Sequence, residues 1–250
     1  MILHTDVRGE GTPLMLFHSF GNTGSSIYEE VMQFFVDKKY QVFRPDLRGH
    51  GGSAGEIKNY FSYAADDVKD TLDSFGIKKC HIAGVSYGGI EVLLFAQKYP
   101  EYVSSLTVSG IFPIKPADWE QSEQEEAEGL KSILSNSDIV SILDEMHGAG
   151  DWRSLFQSVI DNKEAYPFDQ VSNVSDIDIS VPMLCISGGS SEKEVANALN
   201  FKRLNPEIHI SVIPFAGHLV SEDQPLIYAQ TLHCFIGEVE GNKKKETDLS

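Results

Sequence analysis

Short apolar runs alternate with segments of helical periodicity along most of this chain. Such alternation is typical of a mostly parallel sheet flanked by helices on both faces. The pattern therefore predicts the α/β class, with one core domain and room for an insertion in 250 residues. Strands are expected at 14–18, 41–45, 80–85, 103–109, 181–187 and 208–214, and helices at 26–38, 63–75, 87–98, 192–204 and 227–238.

The two ends of the chain lie outside this alternation. The turn-forming run Gly9-Glu10-Gly11-Thr12-Pro13 predicts a hairpin that places residues 2–7 antiparallel at the sheet edge. At the other end, residues 241–250 are polar and contain three adjacent lysines beside acidic residues. This composition predicts a disordered tail.

One long segment, residues 113–174, interrupts the alternation. A structureless loop of this length is uncommon in a compact domain, and helical patterns at 118–134, 137–146 and 151–162 predict a small helical cap. The cap is inserted before the strand at 181–187, so residues 1–112 and 175–240 form the core. An acidic run in the first cap helix is expected to be its solvated face and no metal site: Glu120, Glu123, Glu125, Glu126 and Glu128.

The segment Gly84-Val85-Ser86-Tyr87-Gly88 places a serine between a predicted strand and a predicted helix. In this setting the Gly-x-Ser-x-Gly pattern is typical of a nucleophile elbow, a strained turn in which small neighbours let backbone segments approach closely. The turn raises the hydroxyl above the sheet, and the following helix points free N–H groups at an anion. Ser86 is therefore the candidate nucleophile for acyl transfer. The alternative is a glycine-rich turn without chemistry.

His218 is the candidate general base. A serine hydroxyl needs a base to remove its proton at neutral pH. His218 follows the last predicted strand, at the carboxyl edge of the sheet where Ser86 also emerges, and ligand sites form at that edge. The alternative is a loop histidine that caps the next helix.

Four segments in a fixed order closely resemble the α/β-hydrolase superfamily. The resemblance runs from Gly9 to about Gly237 and points to the small capped members, which include carboxylesterases, enol-lactonases and carbon–carbon bond hydrolases. The segments are His18-Ser19-Phe20-Gly21, Pro45-Asp46-Leu47-Arg48-Gly49-His50-Gly51-Gly52-Ser53, Gly84-Val85-Ser86-Tyr87-Gly88-Gly89 and Ala216-Gly217-His218.

The resemblance implies an oxyanion hole made by the backbone N–H groups of Phe20 and Tyr87. Ser19 stands where the family usually has glycine, so its side chain narrows the hole, donates a hydrogen bond or faces away. His18 and His50 are expected to be structural. The substrate pocket is expected between the sheet edge and the cap, although its aromatic residues are equally candidates for the core of the cap: Ser19, Phe20, Tyr87, Phe112, Trp119, Trp152 and Phe156.

The resemblance also implies a carboxylate that orients the histidine, in a Gly-x-x-Asp turn after the strand at 181–187. Here the chain reads Gly188-Gly189-Ser190-Ser191-Glu192, so Ser191 occupies the expected aspartate position. Three interpretations stay open. In the first, Glu192 serves with its longer side chain. In the second, a carboxylate from elsewhere reaches in, such as Asp118 in the cap or a residue nearer the end of the preceding strand. In the third, Ser190 or Ser191 orients His218 by a neutral hydrogen bond and leaves a weakened pair.

These residues predict a serine hydrolase that acts on a small ester, lactone or thioester through an acyl-enzyme on Ser86. A serine at the elbow argues against epoxide or haloalkane hydrolysis, which use a carboxylate nucleophile in this superfamily. Two other hypotheses stay open: a ligand-binding or signalling protein on a hydrolase scaffold, and a carbon–carbon bond hydrolase or lyase that uses the same Ser–His pair.

Composition excludes several classes of partner. The net charge of −17 argues against nucleic acid and against an anionic membrane surface. No cofactor motif is present, and the three cysteines, Cys80, Cys185 and Cys234, form no metal-binding pattern. Without a signal-like N-terminus, a cytoplasmic location is expected. The sequence does not decide between a monomer and a homodimer.

Overall fold

A mostly parallel sheet organises the protein, seen here in a computed structural model that describes residues 1–148, 151–161, 166–172 and 181–247. Within those residues the sheet has seven strands in the order β1-β3-β2-β4-β5-β6-β7, and β1 alone runs antiparallel to its neighbour. The strands are β1 Thr5–Arg8, β2 Thr12–Phe17, β3 Tyr40–Pro45, β4 Cys80–Val85, β5 Val103–Ser109, β6 Met183–Gly188 and β7 His209–Ile213.

The α/β fold and its sheet are confirmed, including the bounds of β4 and β5 and an antiparallel strand at the edge. The predicted hairpin is wrong, because β1 pairs with β3 instead of β2. Gly9 and Gly11 both have positive φ angles, and a Cβ on either would lie within 2.4 Å of a backbone oxygen of Lys39 or Tyr40. The two glycines therefore let the connection pass closely over the start of β3.

Helices cover both faces of the sheet. The helices α1 and α10 pack on one face, where Phe35 and Tyr228 belong to one buried cluster; α2, α3 and α8 pack on the other, where Leu72, Leu93 and Phe201 are buried. The bounds are α1 Glu29–Asp37, α2 Tyr60–Ser74, α3 Tyr87–Lys98, α4 Trp119–Ser135, α5 Ser137–His147, α6 Trp152–Ile160, α7 Phe168–Val171, α8 Glu192–Leu204, α9 Val220–Asp223 and α10 Pro225–Thr247.

The helices α4 to α7 lie between β5 and β6, in the segment for which a cap is predicted, and they are called the cap below. Leu130, Leu143, Trp152 and Phe156 make a buried cluster that joins α4, α5 and α6. The helix α5 is capped by Asn136, whose side chain accepts hydrogen bonds from two backbone N–H groups. Parts of the predicted segment, including residues 173–174, lie outside the described residues.

The C-terminal segment differs from its prediction. A disordered tail was predicted from residue 241, but α10 continues through Thr247. Residues 248–250 lie outside the described part of the chain. Among the described residues, no helix combines the length and the apolarity that crossing a membrane requires.

Candidate active site

Ser86 stands in a strained turn between β4 and α3. Its φ of 54° and ψ of −120° are uncommon for a residue with a side chain, and its N–H donates to the Ser109 carbonyl at 2.9 Å. The two glycines of the motif permit this turn. A Cβ on Gly84 would lie 2.2 Å from the Gly88 oxygen, and one on Gly88 would lie 2.5 Å from the His18 oxygen.

The loop after β2 lies against the first turn of α3. The Gly88 N–H donates to the His18 carbonyl at 3.1 Å, and the Phe20 and Tyr87 rings are in contact with centroids 4.9 Å apart. This contact brings the two residues predicted to supply the oxyanion hole side by side at the edge of the sheet. Their role in that hole stays a prediction.

His218 reaches the same place from the loop after β7. The backbone there turns sharply, with Phe215 at a φ of 62°. The imidazole lies on Gly110, immediately after β5, where an added Cβ would stand 2.8 Å from Cε1. Ser86 and His218 line one cavity, although the structure records no hydrogen bond between these two described side chains. Such bonds are often long before substrate binds.

The partner of His218 is Glu194, which sequence reasoning missed. Glu194 Oε1 lies 2.7 Å from His218 Nδ1, and the Glu194 side chain is buried. Glu194 is in the first turn of α8, and its N–H donates to the Oγ of the N-cap residue Ser191 at 3.4 Å. A carboxylate only accepts hydrogen bonds, so Nδ1 carries the proton and Nε2 is left free to act as a base.

Of the three interpretations, the contact agrees with a carboxylate from elsewhere, but that carboxylate is Glu194 and neither Glu192 nor Asp118. Successive residues of a helix point about 100° apart, so Glu192 and Glu194 project in different directions. Glu192 is exposed, whereas Glu194 shares the buried face of α8 with Ala198 and Phe201. Asp118 instead pairs with Lys193 at 2.5 Å, and Ser191 caps the helix. The spacing from Glu194 to Ala198 and Phe201 was the sequence signal that identifies the inward face.

A cavity of about 510 Å³ lies above Ser86 and His218, under the cap. Of the predicted pocket residues, Tyr87, Phe112 and Trp119 line it, together with Phe61 and Tyr166. Tyr166, which the sequence analysis did not single out, is held by the Phe112 backbone, whose N–H donates to its hydroxyl at 2.6 Å.

The remaining predicted pocket residues lie elsewhere. Trp152 and Phe156 are buried in the core of the cap, because their large rings fill the space between its helices. Ser19 is buried with its hydroxyl accepting from the Asn22 amide at 2.8 Å, so it faces away from the cavity. Phe20 is wedged between Tyr87 and Phe156 and does not line the cavity.

The wall of the cavity that α4 provides is acidic. Glu120, Glu123 and Glu126 line it, which corrects the expectation that this run is only a solvated face. Among the described residues of the lining, Lys193 is the one cationic side chain, and it is already paired with Asp118. Across the described residues, no group of three or more His, Cys, Asp or Glu side chains is arranged to hold a metal ion.

A sequence model of the protein family described as alpha/beta hydrolase fold matches residues 12–137, about half of the chain. The chain belongs to the α/β-hydrolase family. The match extends from β2 through the elbow at Ser86 and into the cap. The chain is also similar to human epoxide hydrolase 4, with 27% identity over 94% of this chain and 75% of the relative.

Two further comparisons extend over nearly the whole α/β-hydrolase chain. It is 24% identical to 3-oxoadipate enol-lactonase 1 of Acinetobacter baylyi, over 95% of this chain and 94% of that enzyme. The structure of NosK from Streptomyces actuosus superimposes with a TM-score of 0.78 at 22% identity, over 92% of this chain and all of that one. Family membership and the relatives together show a hydrolase.

Proposed function

We propose that this α/β hydrolase cleaves a small carboxylic ester, lactone or thioester through an acyl-enzyme on Ser86. The observation that carries the proposal is the 2.7 Å contact between buried Glu194 and His218, beside the same cavity that Ser86 lines. A strained serine turn, a histidine with a free Nε2 and a buried carboxylate are the three parts that acyl transfer requires.

The steps follow from this arrangement. His218 Nε2 takes the proton of Ser86 Oγ as the oxygen attacks the substrate carbonyl, and it then gives the proton to the leaving alcohol or thiol. Glu194 holds the imidazole in the correct tautomer and stabilises the imidazolium. The N–H groups of Phe20 and Tyr87 stabilise the oxyanion, at about 3 kcal/mol for each donor. A water molecule activated by His218 then releases the acid and restores Ser86.

The cavity favours uncharged or cationic substrates over anionic ones. Its walls are aromatic on one side and carry the Glu120, Glu123 and Glu126 carboxylates on another. A carboxylate on the substrate would be repelled by these groups, because charges near a low-dielectric wall are poorly screened. An aromatic lining suits an apolar acyl or alcohol group of moderate size.

No specific observation favours the alternative functions. The reasons for considering a binding or signalling protein were the missing acid and the acidic first cap helix. Glu194 offers a carboxylate for the first, and three of the acidic side chains of the second line the cavity. The similarity to epoxide hydrolase 4 does not change the proposal, because the elbow of this chain carries a serine, whereas a carboxylate nucleophile is what epoxide opening uses in this superfamily.

The test uses a fluorophosphonate probe and short-chain p-nitrophenyl esters. We expect wild type to be labelled at Ser86 and to turn over the esters, and Ser86→Ala and His218→Ala to lose at least about 1,000-fold in kcat. The matched control is Ser135→Ala, which removes an exposed hydroxyl at the end of α4 and should behave as wild type. Equal rates for wild type and Ser86→Ala would overturn the proposal.

A further inference from the structure

Three buried histidine side chains hold three consecutive peptide groups of the loop after β2. The Ser19 carbonyl accepts from His18 Nδ1 at 2.8 Å, the Gly21 N–H donates to His50 Nε2 at 3.1 Å, and the Gly21 carbonyl accepts from His147 Nε2 at 3.2 Å. These peptides flank Phe20, whose N–H is the proposed oxyanion donor. The three rings therefore set the direction of that N–H.

The second nitrogen of each ring bonds to the loop after β3. The Leu47 N–H donates to His18 Nε2 at 2.9 Å, His50 Nδ1 donates to the Arg48 carbonyl at 3.1 Å, and the Gly51 N–H donates to His147 Nδ1 at 3.1 Å. Each ring thus accepts one bond and donates another, which requires a neutral imidazole in a single tautomer. Burial lowers the pKa of His18 to about 4 and also lowers the pKa values of His50 and His147, in keeping with neutral rings.

The loop after β3 is itself firmly anchored. Arg48 donates two hydrogen bonds of 2.7 Å to the Asp67 carboxylate, and the Asp46 carboxylate accepts from the N–H groups of Gly24 and Gly52. Planar, charge-assisted pairs of this kind fix geometry well. The histidines consequently connect the loop after β2, which carries Phe20 and is called the oxyanion loop below, to the firmly held loop after β3.

His147 differs from the other two histidines because it belongs to the cap. It is the last residue of α5, it is fully buried, and its ring stacks on Trp152 of α6. The cap also touches the loop through Phe156, whose ring would stand 3.1 Å from a Cβ on Gly21. The His147 side chain therefore connects the cap directly to the Gly21 peptide.

We propose that His147 is a positioning residue through which the seated cap fixes the oxyanion loop. This inference rests on the proposed acyl transfer at Ser86. When the cap is seated, the ring holds the Gly21 carbonyl, and the Phe20 N–H is presented to the developing oxyanion. Because the contact acts on the oxyanion donor, its loss lowers kcat and leaves KM nearly unchanged.

Two substitutions separate the two bonds of His147. Asn places an oxygen near the position of Nδ1, so His147→Asn keeps the bond from the Gly51 N–H and loses the bond to the Gly21 carbonyl. Gln places an amide nitrogen near Nε2, so His147→Gln keeps the bond to Gly21 and loses the other. We expect kcat to fall about tenfold in His147→Asn and to stay within about threefold of wild type in His147→Gln.

The matched control is Leu143→Ala, one turn earlier on α5. It weakens the packing among the cap's own helices, α4, α5 and α6, and leaves both His147 bonds in place. We expect a lower melting temperature with nearly unchanged kcat. A boronic acid inhibitor, which imitates the tetrahedral intermediate, should bind about tenfold more weakly to His147→Asn alone. Equal kcat values for His147→Asn and His147→Gln, or the same loss in Leu143→Ala, would overturn the inference.

Amide hydrogen exchange provides a readout that does not need activity. We expect the Gly21 amide to exchange faster in His147→Asn, because the loop is released, and the Gly51 amide to exchange faster in His147→Gln. Unchanged exchange at both amides would show that His147 does not hold the loops. If wild type is no faster than Ser86→Ala, the proposed function fails, and the exchange result still decides whether His147 clamps the loop.

Discussion

Glu194 contacts His218 from within a helix, since its Oε1 lies 2.7 Å from Nδ1 although it is two residues beyond the start of α8 at Glu192. In the chains that this one resembles, the corresponding acid usually comes from the turn that precedes the helix. Here the turn ends in Ser191, which caps the helix and bonds the backbone of Glu194. The first turn of α8 thus determines both where the helix begins and where the Glu194 carboxylate lies.

Glu194→Gln should lower kcat by at least about 100-fold, because an amide does not stabilise the imidazolium that forms on His218. Glu192→Gln is the matched control: it makes the same chemical change two residues earlier on an exposed side chain. It should leave kcat close to that of wild type. Steady-state ester hydrolysis measures both variants, and the reverse order of activities would restore Glu192 as the acid.

Gly110→Ala should lower the rate of ester turnover strongly and the free energy of unfolding only slightly. A Cβ there would stand 2.8 Å from His218 Cε1 and push the imidazole away from Ser86. A displacement of about 1 Å at a reacting group can cost about 100-fold in rate. Gly76→Ala is the control, because Gly76 has a similar φ of +71° and no atom within 4 Å of the added carbon.

Both glycine variants should lose about 1 kcal/mol of unfolding free energy from backbone strain. Only Gly110→Ala should lose activity. The comparison of urea unfolding with ester turnover measures this separation. A similar loss of turnover in Gly76→Ala would mean that strain, and not contact with the imidazole, explains the effect.

Glu91→Gln should make the protein more stable at alkaline pH. Glu91 is buried in α3 and accepts a hydrogen bond of 2.6 Å from the Tyr60 hydroxyl, and burial raises its pKa to about 8. The folded protein therefore holds a proton that the unfolded chain releases above pH 4.5. The contribution of Glu91 to the free energy of unfolding is therefore most favourable below that value, falls as the pH rises towards 8 and then levels off.

Glutamine resembles the protonated acid and still accepts from Tyr60, so it removes this dependence. The gain in unfolding free energy should be near zero at pH 4.5 and grow to at most roughly 5 kcal/mol at pH 9. Urea unfolding at several pH values measures the difference between the two proteins. Parallel stability curves from pH 5 to pH 9 would contradict a protonated Glu91.

Glu123→Gln should improve the use of an anionic ester without changing that of a neutral one. Glu123 lines the cavity, and removing its charge lowers the repulsion of a substrate carboxylate. At a separation of several ångströms in a partly hydrated site, one charge changes kcat/KM by about threefold. Glu125→Gln, on the same helix but outside the lining, is the control and should change neither ester.

The core of the fold was predictable because its strands are buried on both faces. β4 is buried at every position and β5 at every position but one, and their bounds match the predictions, as do those of α3 and α8. The edge strand was harder to place. A Gly- and Pro-rich turn indicates that the chain reverses direction, but β3 enters between β1 and β2, and no local pattern reveals that insertion.

In the site, the positions of Ser86 and His218 were predictable because each follows a strand at the same sheet edge. The contact of Glu194 with His218 was not, because it depends on the direction in which α8 leaves the sheet. The arrangement of His18, His50 and His147 could not be predicted from the sequence either. Its hydrogen bonds join two loops and the end of α5, and they connect residues up to 126 positions apart in the chain.

Glu194 lies on α8 and not in the turn before it, so the position of a carboxylate in the chain does not by itself fix its position in the site. If two carboxylates three residues apart both reach one imidazole nitrogen, the acid of such an enzyme moves along the sequence without an inactive stage. Ser191→Asp would give this chain both carboxylates at once, since aspartate also caps helices well. If either carboxylate alone sustains turnover, each of them can then be lost by a single substitution without loss of activity.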